Sequence, residues 1–315
     1  MYKREAFMAK KSFLKSTITF FSSAFIANLL YHNYCMKKNN NVSDGSYYSW
    51  KYGDIYYEKC GVGDPLLLIH SLSPERSSCE WSAVISYLSS KFTVYAIDLP
   101  GCGRSDKDID KYTEYLYSEA ITSFVKDVIC APCVVIASEM SSRLPLVSSH
   151  FDDSLFKKII LLDPQNIIRP SYTNTFRYYY SKVVGLPVIG SILYDIRFSA
   201  VTLRNIYGLR YFSNPHRVMS SFIEKCVFNA QFGGGRGRYL YESMLSGIYG
   251  YDIPEDVFKV SVPTVVVRYS HRIRNKRFLK MNEKTQEYVY CDKGFLPQVE
   301  NPKALSIYLY NTIFS

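Results

Sequence analysis

The fold is decided by the stretch Val94-Tyr-Ala-Ile-Asp-Leu-Pro-Gly-Cys-Gly-Arg-Ser-Asp106, in which an apolar run ends in a glycine-containing turn. The run begins at Phe92 and has the apolar character of a strand that is buried on both faces. Gly101 and Gly103 mark a tight turn directly after the run. A strand buried on both faces predicts a parallel sheet, because such a sheet is covered by helices on each side.

Strands and helices alternate on both sides of this stretch. Further strands are predicted over Pro65–His70, Cys133–Ala137 and Lys158–Asp163, and helices over Glu80–Leu88, Tyr112–Ile129 and Ser142–Phe151. A β-hairpin around Gly53-Asp54 precedes them. The alternation predicts an α/β fold with a mostly parallel central sheet and helices on both faces. Ligands of such sheets lie at the carboxyl ends of the strands, so we look for chemistry just after these strands.

Residues 166–252 interrupt the alternation, because they have helical periodicity and no clear strand. We interpret this segment as a helical cap inserted after the fourth buried strand. The strand pattern resumes at Pro263–Arg268 and Gln286–Tyr290, and a last helix is predicted from Pro302 to about Ile313.

Three segments resemble the α/β-hydrolase superfamily, of the AB hydrolase-1 type. Asp98–Ser105 matches that family's Asp-x-x-Gly-x-Gly-x-Ser turn, and Leu66–Trp81 is similar to its His-Gly strand and first-helix entry. Gly294-Phe-Leu-Pro-Gln-Val-Glu-Asn-Pro302 is similar to the segment that carries the catalytic histidine. The resemblance spans residues 48–315, and members from low-GC bacteria look most similar. It implies an α/β-hydrolase domain with a cap and a Ser-His-acid triad.

The catalytic positions that the resemblance implies are altered. Phe295 stands where the histidine is expected, and a phenyl ring cannot accept a proton from a serine. The strand that ends at Arg268 is followed by no carboxylate until Glu283. The nucleophile elbow, Gly-x-Ser-x-Gly in the family, corresponds to Ala137–Arg143. One register makes Ser141 the nucleophile and keeps a serine. The other register puts Glu139 there and keeps small neighbours. We favour Ser141, and Glu139 remains open.

A rearranged triad is conceivable from the topology. Asp163 ends the fourth buried strand and His271 follows the next strand, so both belong on the catalytic edge with Ser141. The oxyanion hole would then use Ser71 and Ser142. His70 precedes the oxyanion loop, and we interpret it as structural. The cations around His271 would hold its imidazole neutral, and a neutral imidazole can act as a base.

Two hypotheses follow for the function. In the first, the chain is a membrane-tethered α/β-hydrolase-fold protein with a degenerate triad, which binds an apolar or acyl ligand or a protein partner. In the second, it is an active esterase- or lipase-like serine hydrolase that uses Ser141, His271 and Asp163. The sequence indicates no cofactor and no metal site. Nucleic acid binding lacks any motif beyond charge.

The N-terminal region suggests an anchor. Residues 1–15 are basic, residues 16–36 contain no formally charged side chain, and residues 37–47 have the polar composition of a linker. An uncharged stretch of this length predicts a single membrane-spanning helix, with the N-terminus inside because the basic residues precede it. A cleaved signal peptide and an interfacial helix are the alternatives, which would make the protein secreted or peripheral. We expect this helix to pack little against the hydrolase body.

Net charge and cysteines add two further expectations. The formal net charge is +10, which fits either scattered surface lysines or attraction to an anionic surface. Of the eight cysteines, Cys130 and Cys133 form a lone C-x-x-C motif. Because no further metal ligands accompany that motif, we expect buried free thiols.

Overall fold

A computed structural model describes residues 45–164, 174–250, 253–269, 283–290 and 296–314, together with helical residues 19, 22–23, 25–35 and 37. Eight strands form one sheet in the order β1-β2-β4-β3-β5-β6-β7-β8. Their bounds are β1 Ser46–Trp50, β2 Gly53–Cys60, β3 Asp64–Ile69, β4 Phe92–Ile97, β5 Cys133–Ser138, β6 Phe156–Leu162, β7 Thr264–Tyr269 and β8 Gln286–Tyr290.

The pairing confirms the predicted fold class. The hairpin β1–β2 and the β2–β4 pair are antiparallel, and the pairs from β4 across to β8 are parallel. Alternate residues of the central strands point to opposite faces, so Leu67 and Ile69 enter one apolar layer while Leu66 and Leu68 enter the other. Both layers are buried, which is why these strands read as continuous apolar runs.

Helices cover both faces of the sheet. Outside the N-terminal region and the cap, the helices described are α1 Ser82–Leu88, α2 Glu114–Phe124, α3 Arg143–Phe151, α9 Pro297–Glu300 and α10 Pro302–Phe314. Tyr117 of α2 and Leu144 of α3 pack on one face. Val84 of α1 and Leu305 of α10 pack on the other face.

The predicted cap is a helical insertion between β6 and β7. Its helices are α4 Thr175–Gly185, α5 Ile189–Arg197, α6 Ala200–Arg210, α7 Ser220–Gln231 and α8 Arg238–Ser246. Their buried aromatic residues form a separate apolar cluster, which Leu296 from the C-terminal segment joins. The predicted bounds at 166 and 252 fall outside the described residues.

The glycine-containing turn after β4 has a clear physical basis. The Asp98 carboxylate accepts hydrogen bonds from the backbone N–H groups of Ser78 at 2.6 Å and Arg104 at 2.8 Å. Gly103 has φ +50°, and a Cβ there would lie 2.0 Å from Asp98 Oδ2. Only glycine fits so close to this carboxylate in the left-handed region. The turn therefore holds the loops on this edge of the sheet in place.

The N-terminal helix packs against the cap, and our expectation that it packs little against the body is wrong. His32 and Cys35 are buried, and the Asn28 amide donates a hydrogen bond to Asp195 of α5. His32 Nε2 lies 3.6 Å from the same carboxylate. Among the described residues, no helix combines the length and the apolar character needed to cross a membrane.

The C-x-x-C motif differs in part from our expectation. Cys130 and Cys133 are free thiols, but Cys130 is exposed and only Cys133 is buried. Cys130 ends its helical turn in the left-handed region, at φ 58°. Cys133 begins strand β5 and lies in the core.

Candidate active site

The turn after β5 places Glu139, rather than Ser141, at the elbow. Strand β5 ends at Ser138, and a short 3-10 helix, Glu139–Ser142, leads into α3. Glu139 has φ +49°, a left-handed conformation that costs a side-chain-bearing residue strain energy. In a strand–elbow–helix turn, this strained residue is the one that projects toward the site. The structure thus favours the register that the sequence left open as the alternative.

Ser141 lies two residues beyond the elbow, with its side chain directed inward. It is fully buried, and its hydroxyl donates a 2.6 Å hydrogen bond to the carbonyl oxygen of His70. A carbonyl oxygen cannot act as a general base, so this hydrogen bond does not activate the serine. The structure therefore places the Ser141 hydroxyl against the residue that follows β3, and its role as nucleophile stays a prediction.

His70 has a structural role, as its sequence position suggested. Its Nε2 accepts a 3.0 Å hydrogen bond from the Leu99 N–H, so the proton is assigned to Nδ1, which donates to the Ser71 carbonyl at 2.8 Å. Burial lowers the pKa of His70, which keeps the ring neutral. Both ring nitrogens are used to fix the backbone of the two neighbouring loops.

A buried ion-pair cluster surrounds the elbow carboxylate. Arg76 lies in the loop after β3, and its guanidinium is 3.8 Å from Glu139 Oε2 and 2.8 Å from Glu80 Oε2. The Ser71 hydroxyl donates to the same Glu139 oxygen at 3.3 Å. All four residues are buried. Burial opposes the charge of Arg76, but neighbouring tyrosines and both carboxylates raise its pKa well above the usual value.

Glu80 connects the segments that converge on the elbow. Its Oε1 accepts hydrogen bonds from the Ser71 backbone N–H at 3.2 Å, the Ser138 hydroxyl at 3.1 Å and the Gln298 amide at 3.4 Å. The Ser71 N–H is thus already hydrogen-bonded to Glu80 in this structure, and its oxyanion role stays a prediction. The Ser142 hydroxyl donates to the Ala137 carbonyl at 3.2 Å, and Ser142 lies three residues past the elbow. A donor directly after the elbow would be Met140 instead.

The cap closes over Arg76 with two aromatic rings. The Arg76 Cζ atom lies 5.3 Å from the ring centre of Tyr207 and 5.0 Å from that of Tyr211, both at the end of α6. Cations are attracted to aromatic faces at this distance. The Asn229 amide of α7 donates to the Ser77 hydroxyl at 2.8 Å and the Glu75 carbonyl at 3.2 Å. The cap is therefore held to the loop that carries Arg76.

Asp163 is at the predicted edge of the sheet. Ser138 pairs with Leu162, so Glu139 and Asp163 follow neighbouring strand ends. Asp163 is buried, has φ +44°, and donates its backbone N–H to the Val267 carbonyl at 2.7 Å. The structure thus brings Ser141, Asp163 and Ser71 to one edge. His271, the third member of the rearranged triad, and Phe295 lie outside the described residues, so that triad remains a prediction.

Sequence reasoning missed the two residues that dominate the site. Arg76 and Glu80 are charged residues four positions apart, directly after a buried strand and its loop. This spacing is a signal for an ion pair on one turn of helix. It could not indicate that the pair is buried or that it faces the elbow. In the described part of the chain, no group of three or more His, Cys, Asp or Glu side chains is arranged to hold a metal ion.

Comparison with known proteins identifies the family. The model of the alpha/beta hydrolase family matches residues 66–289, which is more than half of the chain. The chain belongs to this family. The match runs from within β3 to within β8 and includes the cap.

Solved structures and one curated relative agree with this assignment. The Cif epoxide hydrolase from Acinetobacter nosocomialis superposes with a TM-score of 0.70 at 14% identity, covering 90% of this chain and 96% of that one. A thermophilic esterase from Thermogutta terrifontis gives a TM-score of 0.65 at 16% identity, covering 86% and 98%. A soluble epoxide hydrolase from Corynebacterium sp. (strain C12) is 27% identical over 109 residues. That match spans 35% of this chain and 37% of the relative. Identities this low in the structures show the fold alone.

Proposed function

We propose that this α/β-hydrolase family protein does not turn over substrates through a Ser-His-acid triad and that it acts by binding. The expected ligand is an apolar or acyl molecule, or a protein partner, held between cap and sheet. The observation that carries the proposal is the elbow. Its strained residue is Glu139, and the buried guanidinium of Arg76 lies 3.8 Å away. A carboxylate beside a guanidinium is stabilised in its ionised form. Such a carboxylate is a poor substitute for the activated serine hydroxyl of a triad.

Three further observations support the loss of triad chemistry. The Ser141 hydroxyl is used in a hydrogen bond to a backbone carbonyl. The sequence has Phe295 at the histidine position of the resemblance, and no carboxylate between Arg268 and Glu283. Each of these changes removes a different part of the machinery, so restoring one part would leave the others missing.

A second candidate function is hydrolysis by a carboxylate nucleophile. Carboxylates form covalent intermediates in some hydrolases, and Glu139 at the elbow would attack an electrophilic carbon such as that of an epoxide. The carbon–oxygen bond of the ring would break as an ester to Glu139 forms, and the ring oxygen, released as an alkoxide, would take a proton from water. Hydrolysis of that ester needs a base. The similarity to proteins named epoxide hydrolases is the reason to test for the carboxylate mechanism. Without a base, a stable Glu139 ester is the expected end product.

The deciding experiment treats the purified full chain with a fluorophosphonate probe, which labels only an activated serine. We expect no labelling and ester turnover that is the same for wild type and Ser141→Ala. Ser142→Ala, which alters the neighbouring hydroxyl, is the matched control. A robust esterase activity that Ser141→Ala abolishes and Ser142→Ala retains would overturn the proposal in favour of the Ser141-His271-Asp163 hydrolase.

Two additional measurements separate binding from the carboxylate mechanism. Intact-mass spectrometry after incubation with a small epoxide would reveal an adduct on wild type that Glu139→Gln cannot form, if the second candidate holds. A ligand that binds only the folded state raises the melting temperature, so decanoate is expected to stabilise the protein. No shift with decanoate would exclude the acyl class of ligand.

A further inference from the structure

The N-terminal helix is turned with its polar face toward the protein. Four side chains of residues 25–35 are partly or fully buried and lie on one stripe, and they are Asn28, Tyr31, His32 and Cys35. A helix on a globular protein normally directs its apolar stripe inward. Here polar contacts to Asp195 fix the inward face. The close fit is clear at Gly235, where a Cβ would lie 2.4 Å from the His32 ring.

The outward face of the same helix is apolar and continues onto the cap. Phe25 and Leu29 line a groove together with Pro187 and Val188 of the cap. The two residues that flank that cap segment are also exposed and apolar. We refer to the resulting surface as the apolar ridge, which consists of Phe25, Ile26, Leu29, Leu30, Leu186 and Ile189. Leu30 is 62% exposed and Ile26 is 55% exposed.

A ridge of this kind is unfavourable in water. Contiguous exposed apolar side chains on a protein surface mark a contact site, and burying each one stabilises a contact in proportion to its apolar area. Exposed Tyr34 follows on the next turn, and exposed Lys37 lies beyond it. Aromatic and basic residues next to an apolar face are typical of helices that lie in a membrane interface.

Charge decides between a membrane surface and a second copy of the chain. The formal net charge is +10, and the cap segment 174–250 has nine Lys and Arg against three Asp and Glu. Two such copies repel each other, whereas an anionic bilayer attracts each of them. We propose that the apolar ridge docks the protein on the surface of an anionic lipid bilayer, with the helix lying in the interface plane. The cap, rather than the sheet, would face the lipid.

Vesicle flotation with the full chain tests the proposal. The probes are vesicles of phosphatidylcholine alone and vesicles with equal amounts of phosphatidylcholine and phosphatidylglycerol. We expect the wild type to bind the anionic vesicles and to be released by high salt, because screening weakens electrostatic attraction. Leu30→Asp should reduce binding about tenfold or more, since the charge opposes insertion of the ridge. Circular dichroism checks that the variant is folded.

The matched control is Val62→Asp, which adds the same charge at an exposed apolar residue in the turn between β2 and β3. Val62 is 86% exposed and lies outside the ridge. Retained binding of Val62→Asp supports the proposal. It is overturned if the wild type binds neither vesicle, if the two variants lose binding equally, or if Leu30→Asp binds as the wild type does. Light scattering that shows a dimer, dissociated by Leu30→Asp and without vesicle binding, would assign the ridge to a second copy instead.

Discussion

The Ser141 hydroxyl donates a 2.6 Å hydrogen bond to the carbonyl oxygen of His70, which links the turn after β5 to the end of β3. Both residues are fully buried. The serine favoured as nucleophile from the sequence thus joins two neighbouring strand ends. Glu139, two residues earlier, has the left-handed conformation in the turn. The contact gives the serine at this position a structural role.

Ser141→Ala is expected to reduce stability without reducing activity. It leaves the buried His70 carbonyl without this donor, which costs about 1 to 3 kcal/mol. Urea unfolding measures the change. Ser86→Ala is the control, because that exposed hydroxyl bonds only a carbonyl of its own helix. Equal effects of the two substitutions would show that the His70 contact has no special weight.

Arg76→Leu is expected to destabilise the protein by about 3 to 5 kcal/mol, because it leaves the buried Glu80 and Glu139 carboxylates without their cation. Chemical denaturation at neutral pH measures it. Lys157→Met is the control, since Lys157 and Asp64 form an exposed pair at 3.3 Å that should contribute little. A mild effect of Arg76→Leu would show that the cluster does not hold the elbow.

Combining Arg76→Leu with Glu139→Gln is expected to recover part of that loss. One of the two uncompensated charges is then removed, so the effects of the substitutions should not add. The same unfolding measurement completes a double-mutant cycle. Strict additivity would indicate that the two side chains do not interact.

Gly103→Ala is expected to destabilise the chain by about 3 kcal/mol or more, since its Cβ would lie 2.0 Å from Asp98 Oδ2 in a left-handed turn. Gly234→Ala is the matched control. Gly234 also has φ +69°, but no heavy atom lies within 4 Å of its Cβ position. Gly234→Ala therefore has only the cost of placing a residue with a Cβ in the left-handed conformation, about 1 to 2 kcal/mol. Melting temperatures of both variants give the comparison.

Because of Glu114, we expect the free energy of unfolding to depend on pH. Burial raises its pKa from 4.5 to about 7, although Arg143 opposes the shift. Between these values the folded carboxyl retains a proton that the unfolded carboxyl has lost, so the free energy of unfolding falls as pH rises. Glu114→Gln cannot titrate. The stability difference between wild type and Glu114→Gln should therefore change across this window and be constant below it.

Phe295→His alone is expected not to restore robust ester hydrolysis. The imidazole would lack a carboxylate after Arg268 to orient it, and the elbow would still present Glu139. Turnover of p-nitrophenyl acetate measures the result, with wild type as the baseline. Full activity from this single substitution would show that an orienting acid lies elsewhere on the catalytic edge.

The sequence by itself determined the fold and the edge of the sheet where chemistry belongs. Continuous apolar strands, intervening helical periodicity and the Gly101–Gly103 turn are local patterns, because burial on both faces and left-handed backbone each require particular residues nearby. The cap could also be predicted from local sequence, because it is a long stretch with helical periodicity and no strand pattern. The proposed loss of triad chemistry also began from local sequence, at Phe295.

Only the tertiary structure decided how the site is built. Glu139 has a positive φ in the turn between β5 and α3. The sequence was compatible with either register and could not predict this conformation. Arg76 meets Glu139 across 63 positions of chain, and Tyr207 reaches Arg76 from the cap. The sequence predicted a membrane-spanning N-terminal helix that packs little against the rest of the protein. In the structure, Asn28 of this helix donates a hydrogen bond to Asp195 of the cap. Contacts between distant segments depend on three-dimensional packing, which local periodicity and spacing do not specify.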